Sequence, residues 1–462
     1  MASIVHRNNR FLVVHYEHDI SGKNKQKWET YRTLADAKRR KAEIEHRQEL
    51  GALDVPTCKT VNDLLKEYIS LYGKATWSLS VFSSNSRLIR NYISPVIGKM
   101  NLCEISPRIL EKYYQKLLQT PAVSRITQKR GTKDTGFIQP ATVRKIHSLL
   151  RSAFNQAVKW ELMEKNPAIH ATVPKAVPPK REVWDAETIF LALDVCDDAR
   201  LKLAINLSFA CSMRIGEILG LTWDCVDISP KSIANGTASI MIGKELQRVD
   251  KTAMKSLEQK DVLFIFPQAS KRNKTMLVLK KPKTESSIRK VFIPKTVAHQ
   301  LEAWKREQER TKEALGDEYT DYNLVLAHGL GSPVEQSRIT AMFQALIKKN
   351  DLPKVVFHSL RHSSITYKLQ LTGGDIKSVQ GDSGHAQAQM VTDQYAHVMD
   401  ENRKNNAELF EQVFYRGKIP DAQEASPAVS STPSSGIDPS LLKKISENPD
   451  LLKILSAIAG SL

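Results

Sequence analysis

Between residues 60 and 171, apolar positions recur at three- and four-residue spacing in four stretches, the signature of amphipathic helices. TVNDLLKEYISLYG opens on a threonine cap, and SNSRLIRNYISPVIG follows. SPRILEKYYQKLLQT offers Ser106 as cap and Pro107 for the first turn. PATVRKIHSLLRSAFNQAVKWELM is a long helix stopped by Asn166-Pro167. The pattern predicts a four-helix bundle. Upstream the period changes. FLVVHYEH reads as a strand, ISGKNKQ as a polar turn and WETYRT as a second strand. LADAKRRKAEIEHRQEL then reads as a helix with Leu34, Ala37 and Ile44 turned inward.

Downstream, VPKAVPPKREVW (Val173 to Trp184) is rich in proline and predicts an extended linker that cannot be helical. Beyond it the pattern is mixed. DAETIFLALDVC, ARLKLAINLSFACSM and PKTVAHQLEAWKREQERTKEAL read as helices. GTASIMIGKEL, VLFIFP, TMLVLKK and IRKVFIP read as strands. A segment rich in Ser, Pro and Ala follows residue 418 and predicts disorder, before two short apolar-faced helices in DPSLLKKISENPDLLKILSAIAGSL. The organisation expected is a small α+β unit over 1–57, a helical bundle over 58–172, a linker over 173–183, a mixed domain over 184–416 and a tail over 417–462. A chain of 462 residues is long enough for such a division.

Charge narrows the partner. The formal net charge is +18, and so basic a chain points to a polyanion, nucleic acid first. The five cysteines form no CxxC pair and lie at no metal-ligand spacing, so reduced thiols in a cytoplasmic protein are expected. No apolar run reaches membrane-spanning length, and MASIVHRNNR lacks the apolar core of a signal peptide.

Three separated stretches carry candidate chemistry. In CSMRIGEILGLTWDCVD, Arg214 is flanked by apolar sequence and Glu217 lies three residues on, within pairing range on a helix. A purely structural ion pair would account for these two by themselves. LKKPKTESSIRKVFIP reads as strand–turn–strand, with Lys280, Lys281 and Lys283 clustered at the turn and Arg289 and Lys290 after it. In HSLRHSSITY, His358 and Arg361 are three apart and would share a helix face toward an anion. His385 follows in SGHAQAQ, and Tyr395 in VTDQYAHV.

The ordered series Arg214, Lys283, His358-x-x-Arg361, Gly384-His385 and Tyr395 resembles the tyrosine recombinases, or phage integrase family. RIGEILGLTWDCVD is similar to the family's first arginine box, PKTESSIRKVFIP to its lysine-bearing hairpin and HSLRHSSIT to its second arginine box. GHAQAQMVTDQYAHV is similar to the stretch running to its nucleophile. The likeness covers residues 1 to about 416, and the layout is similar to integrases of temperate phages and integrative conjugative elements. One position departs: the family usually has leucine before Gly-His, and this chain has Ser383.

The resemblance implies a multidomain fold, mainly α with small β-sheets. Its parts would be an N-terminal α+β arm-binding unit, a helical core-binding domain and a mixed α/β catalytic domain. It implies cleavage and rejoining of DNA through a 3′-phosphotyrosyl link at Tyr395, without cofactor or metal. Arg214 and Arg361 would neutralise the phosphate, since a guanidinium is planar and always charged. Lys283 would protonate the leaving oxygen, while His358 and His385 share phosphate contact and proton handling. Glu217 would orient Arg214. Tyr367 is a rival nucleophile, expected to be rigid and packed. Partners implied are duplex DNA at core-type and arm-type sites, three further copies in a tetramer, and an accessory bending or excision factor. The setting is the bacterial nucleoid, with no membrane. A type IB topoisomerase or a catalytically silent DNA-binding regulator are the alternatives.

Overall fold

The computed structural model describes residues 2–7, 9–18, 24–49, 58–123, 136–176, 182–268, 270 and 272–384. The chain begins with an antiparallel sheet of β1 (Ser3–Arg7), β2 (Arg10–His18) and β3 (Asn24–Tyr31), in that order. β2 and β3 are the two strands read from the sequence. β1 was not anticipated, because its side chains are nearly all exposed and it carries almost no period-2 signal. Helix α1 (Leu34–Glu49) lays Ala37 and Ile44 on Val13 and Ala2. Leu34, expected inside, is exposed at the helix's first residue: the buried stripe begins one turn later. Glu29 of β3 is buried against this helix. It accepts from Arg40 Nε at 3.1 Å, Tyr31 Oη at 2.5 Å and Lys59 Nζ at 2.8 Å, so one carboxylate ties the sheet to α1 and to the start of the bundle. Burial pushes its pKa up, but these three donors outweigh that and bring it to about 2.

The bundle has the four helical stretches read from the periodicity. Helix α2 (Val61–Glu67) starts on a capping box in which Thr60 and Asp63 bond each other's backbone N–H. It runs on through a π-helical stretch, Tyr68–Gly73, and the short α3 (Lys74–Thr76). Helix α4 (Leu79–Leu88) also passes into π-helix over Ile89–Ile93, where the Ser94 N–H reaches back five residues to Ile89 O at 2.8 Å. Helices α5 (Pro107–Leu118), capped by Ser106, and α6 (Pro140–Lys159) complete it around Leu64, Ile93, Leu110, Tyr114 and Phe154. The basic stretch TQKRGTK lies outside the described residues.

The linker's described parts have no helix or strand, and Trp184 ends it as an anchor, with Nε1 donating to Pro353 O at 2.8 Å. The third region opens with α7 (Ala186–Asp194), α8 (Ala199–Phe209) and α9 (Ile215–Leu219). Then come β4 (Val226–Asp227), α10 (Pro230–Ala234), β5 (Ser239–Ile242), β6 (Glu245–Asp250) and α11 (Lys251–Ser256). Strands β7 (Val262–Ile265), β8 (Thr275–Lys280) and β9 (Arg289–Phe292) follow. Helices α12 (Lys295–Leu315), α13 (Gln336–Lys349), α14 (Ser359–Leu371) and α15 (Ile376–Ser383) close the described part.

Sheet pairing corrects one expectation. β8 and β9 were read as a hairpin around the lysine turn, yet they sit in different antiparallel sheets, β6-β8-β7 and β4-β5-β9. Strand propensity specifies an extended backbone and not its partner. β9 pairs with β5 because Val291 and Ile293 join Ile240 and Ile242 in the larger core. β8 is buried on both faces. Leu277 and Leu279 pack into that core, while Met276 and Val278 pack into the core of the bundle. Val249 of β6 and Ala253, Met254 and Leu257 from α11 and its end also join the bundle core. The two regions therefore share a sheet as a common wall, in addition to the linker. Among the described residues, no helix is long and apolar enough to cross a membrane.

Candidate active site

The polar cluster is built on the turn between α8 and α9. Ser212 sits there at φ +52°, a left-handed conformation, fully buried, with its hydroxyl 2.6 Å from that of Ser364 on α14. The turn aims Arg214 at the start of α9. Its Nη1 donates to Glu217 Oε1 at 2.7 Å, and its backbone N–H donates to Glu217 Oε2 at 2.9 Å. The sequence-predicted pair is thus formed, and Glu217 doubles as a helix cap.

Glu217 has a second and deeper partner. Arg289, the first residue of β9, donates from Nη2 to Glu217 Oε2 at 3.0 Å and from Nη1 to Oε1 at 3.3 Å. Its side chain is only 6% exposed and that of Glu217 only 2%. Burial alone would raise the Glu217 pKa. The charge and hydrogen bonds of Arg289, followed by those of Arg214, outweigh it, so the carboxyl lies below its usual range and is ionised.

Arg361 joins from α14, donating to Ser212 O and Ser383 O. It is 1% exposed, whereas Arg214 is a third exposed. His358 is exposed and Arg361 lies buried beneath the cluster. His358 is the N-cap of α14, with right-handed helical backbone angles. Its ring meets the buried His362 edge-on, with centroids 4.8 Å apart. Tyr367 is packed against Phe209, with ring centroids 5.7 Å apart, but it is 38% exposed rather than enclosed.

The lysine turn is also sorted by the structure. Lys280 is a strand residue, buried and bonded to Glu245 at 2.8 Å, and not a turn-tip cation. Lys281 and Lys283 are exposed. The turn is fastened by the Thr284 hydroxyl, 2.9 Å from that of Ser287. It lies against the end of α15, where Gly384 adopts φ +61°. A Cβ on Gly384 would fall 2.9 Å from Ser286 O and 3.0 Å from Arg289 Nη1, so glycine is required by backbone and by space. Ser383, where the family usually has leucine, is fully buried and contributes its carbonyl to Arg361. His385 and Tyr395 lie outside the described residues.

Arg289 was not singled out by motif, but strand parity marks it. Arg289 and Val291 point inward while Lys290 and Phe292 point outward, so an arginine stands on the buried side of its strand. Among the described residues, no three His, Cys, Asp or Glu side chains are grouped to hold a metal ion. Cys211, at the edge of the cluster, is buried and its thiol is pushed up to about 12, which keeps it protonated and inert.

Residues 183–402 match the model described as "Phage integrase family", and residues 60–118 match "Phage integrase, N-terminal SAM-like domain". The chain is 25% identical over 366 residues to a tyrosine recombinase XerC-like protein of Caldanaerobacter subterraneus subsp. tengcongensis, covering 77% of this chain and 83% of that one. It is 22% identical over 334 residues to the ICEBs1 integrase of Bacillus subtilis, covering 72% and 77%. In fold it is similar to a Tn1549 transposon integrase solved with a circular intermediate DNA. That likeness has TM-score 0.57 at 18% identity, over 76% of this chain and 99% of that one. The matches span both the helical bundle and the region holding Arg214, Glu217, Arg289 and Arg361, and the chain belongs to the phage integrase family of tyrosine recombinases.

Proposed function

We propose that this recombinase integrates and excises a mobile element by cutting duplex DNA with Tyr395. The phenol oxygen attacks the scissile phosphorus, a 3′-phosphotyrosyl bond forms and the bond to the 5′-oxygen breaks. Lys283, exposed on its turn, supplies the proton to that leaving oxygen. Arg214 meets the phosphate, and Arg361 adds a second fixed positive charge beneath it. His358 and His385 share phosphate contact and proton transfer. The exchanged energy stays in the phosphotyrosyl bond, so rejoining needs no nucleotide. The observation that supports this most is the pair of arginines, Arg214 and Arg289, held on a single ionised carboxylate, Glu217. Preorganised charge of this kind is what an anionic transition state requires.

The same reading assigns residues 1–57 to arm-type sites, 58–172 to core-type sites and 184–416 to catalysis, in the bacterial cytoplasm on the nucleoid. With a net charge of +18, binding should weaken steeply with salt. The named Tn1549 relative was solved on DNA, and a tetramer on two DNA sites is the assembly proposed for this chain.

The test is covalent trapping on a nicked duplex carrying the candidate element-end sequence. The expected result is a protein–DNA band on a denaturing gel that vanishes in Tyr395→Phe and persists in Tyr367→Phe. A band that survives Tyr395→Phe overturns the assignment. Intact binding without any band on a verified site would favour the silent DNA-binding regulator.

A further inference from the structure

We infer that Arg289 is a positioning residue for the strand-cleavage step: it sets Arg214 through Glu217 and holds the turn at Gly384. The inference rests on the reading of Arg214 as the residue that grips the scissile phosphate.

Three chain segments far apart in sequence meet at this one guanidinium. Toward the α8–α9 turn, Nη1 and Nη2 donate to both oxygens of Glu217, at 3.3 and 3.0 Å. Toward its own strand, Nη1 donates to Ser287 O at 3.1 Å. Toward the end of α15, Nε donates to Asp382 O at 2.7 Å. The side chain is 6% exposed, so it is not itself presented to a ligand.

What it fixes is the partner of Arg214. Glu217 receives Arg214 Nη1 on Oε1 and Arg214 N–H on Oε2, the same two oxygens that Arg289 holds. A carboxylate gripped on both oxygens by a planar guanidinium cannot rotate without losing both bonds. Arg214 Nη2 also donates to Gly384 O at 3.2 Å, and the Gly384 turn lies directly on Arg289. Arg289 therefore sets both anchors of Arg214, its carboxylate and its carbonyl. The residue after that carbonyl is His385.

Lysine at 289 keeps a positive charge by Glu217 but has no planar fork to hold both carboxylate oxygens and Asp382 O together. The experiment compares the full chain with Arg289→Lys on two nicked duplexes of the candidate element-end sequence. One has the natural phosphodiester. The other has a methylphosphonate at the scissile position, which lacks one of the charged oxygens that Arg214 is read to neutralise. Adduct formation in Arg289→Lys should fall on the order of 100-fold on the phosphodiester, as expected for a reacting-group displacement of about 1 Å. The deficit should shrink at least roughly tenfold on the methylphosphonate, because less charge remains for a misplaced Arg214 to stabilise. Equal deficits on the two substrates, or no deficit, overturn the inference. Should Arg289→Lys fail to fold, Glu217→Gln carries the same comparison with the same criteria. The underlying reading fails separately: Arg214→Ala would then form adduct at the unaltered rate.

Discussion

Two glycines stand one turn apart, Gly216 in helix α9 and Gly220 at its C-cap, and the structure sets them opposite fates. A Cβ on Gly220 would lie 2.6 Å from Leu246 N, 2.7 Å from Glu245 C and 2.8 Å from Glu245 Cα, all backbone atoms of β6. Its φ is −92°, which any residue adopts, so the obstacle is purely the close approach of helix and strand. For Gly220→Ala, β6 and α9 must part by several tenths of an ångström. Overpacking of this kind costs about 1–3 kcal/mol. For a region of this size that lowers the melting temperature by about 2–4 °C per kcal/mol. The displaced helix carries Glu217 and begins at Arg214, so the adduct-forming rate should fall too, by up to about 100-fold for a shift approaching 1 Å. Gly216→Ala is the control. There the nearest atom to a new Cβ is Leu246 O at 3.3 Å, and alanine in a helix gains back as much as about 1 kcal/mol over glycine. The measurements are thermal unfolding and covalent trapping on both variants. Gly220→Ala as stable and active as the parent chain, or Gly216→Ala worse than Gly220→Ala, would refute the claim that this contact places the arginine box.

Three further outcomes follow from the placement of these charges. Lys283→Ala should leave stability within about 0.5 kcal/mol while slowing cleavage by roughly 10²–10⁴, because the side chain is exposed and is the proton donor proposed above. Lys280→Ala should do the reverse, costing about 1–3 kcal/mol by stranding Glu245, and urea titration beside trapping separates the two. Glu29, with its pKa lowered from 4.5 to about 2, stabilises the fold fully above about pH 4.5. That contribution is lost as pH falls toward 2, because the unfolded chain binds the proton more readily. Glu29→Gln should therefore show a smaller fall in urea midpoint between pH 7 and pH 3; an unchanged fall would count against the Glu29 network.

Much of this was legible in the chain. Periodicity alone located the four helices of the bundle, since a helix buried on one side must repeat apolar residues every three or four positions. Caps were readable for the same local reason, as with Thr60 before α2 and Ser106 before Pro107. The Arg214–Glu217 pair needed only a spacing of three on a short helix. Ordered motifs carried the family resemblance, because a reaction that needs several cations and a nucleophile constrains residue types however far apart they stand.

Tertiary structure decided which strands pair and which charges are buried. β8 looks like half of a hairpin in sequence, yet both its faces are covered, by two cores built mainly from different regions of the chain, 184–360 and 58–171. Lys280 and Lys283 look alike in a lysine-rich run, and only strand position separates the buried ion pair from the exposed cation. Arg361 and His358 are three residues apart, but the packing of α14 against the Ser212 turn buries one and leaves the other at the surface. Arg289 gains its partners from residues 212–217 and 382–384, contacts that no local pattern encodes. Local sequence determines backbone preference and the spacing of chemical groups. The enclosure of a charge, and therefore its partner and its strength, depends on what the rest of the chain brings against it.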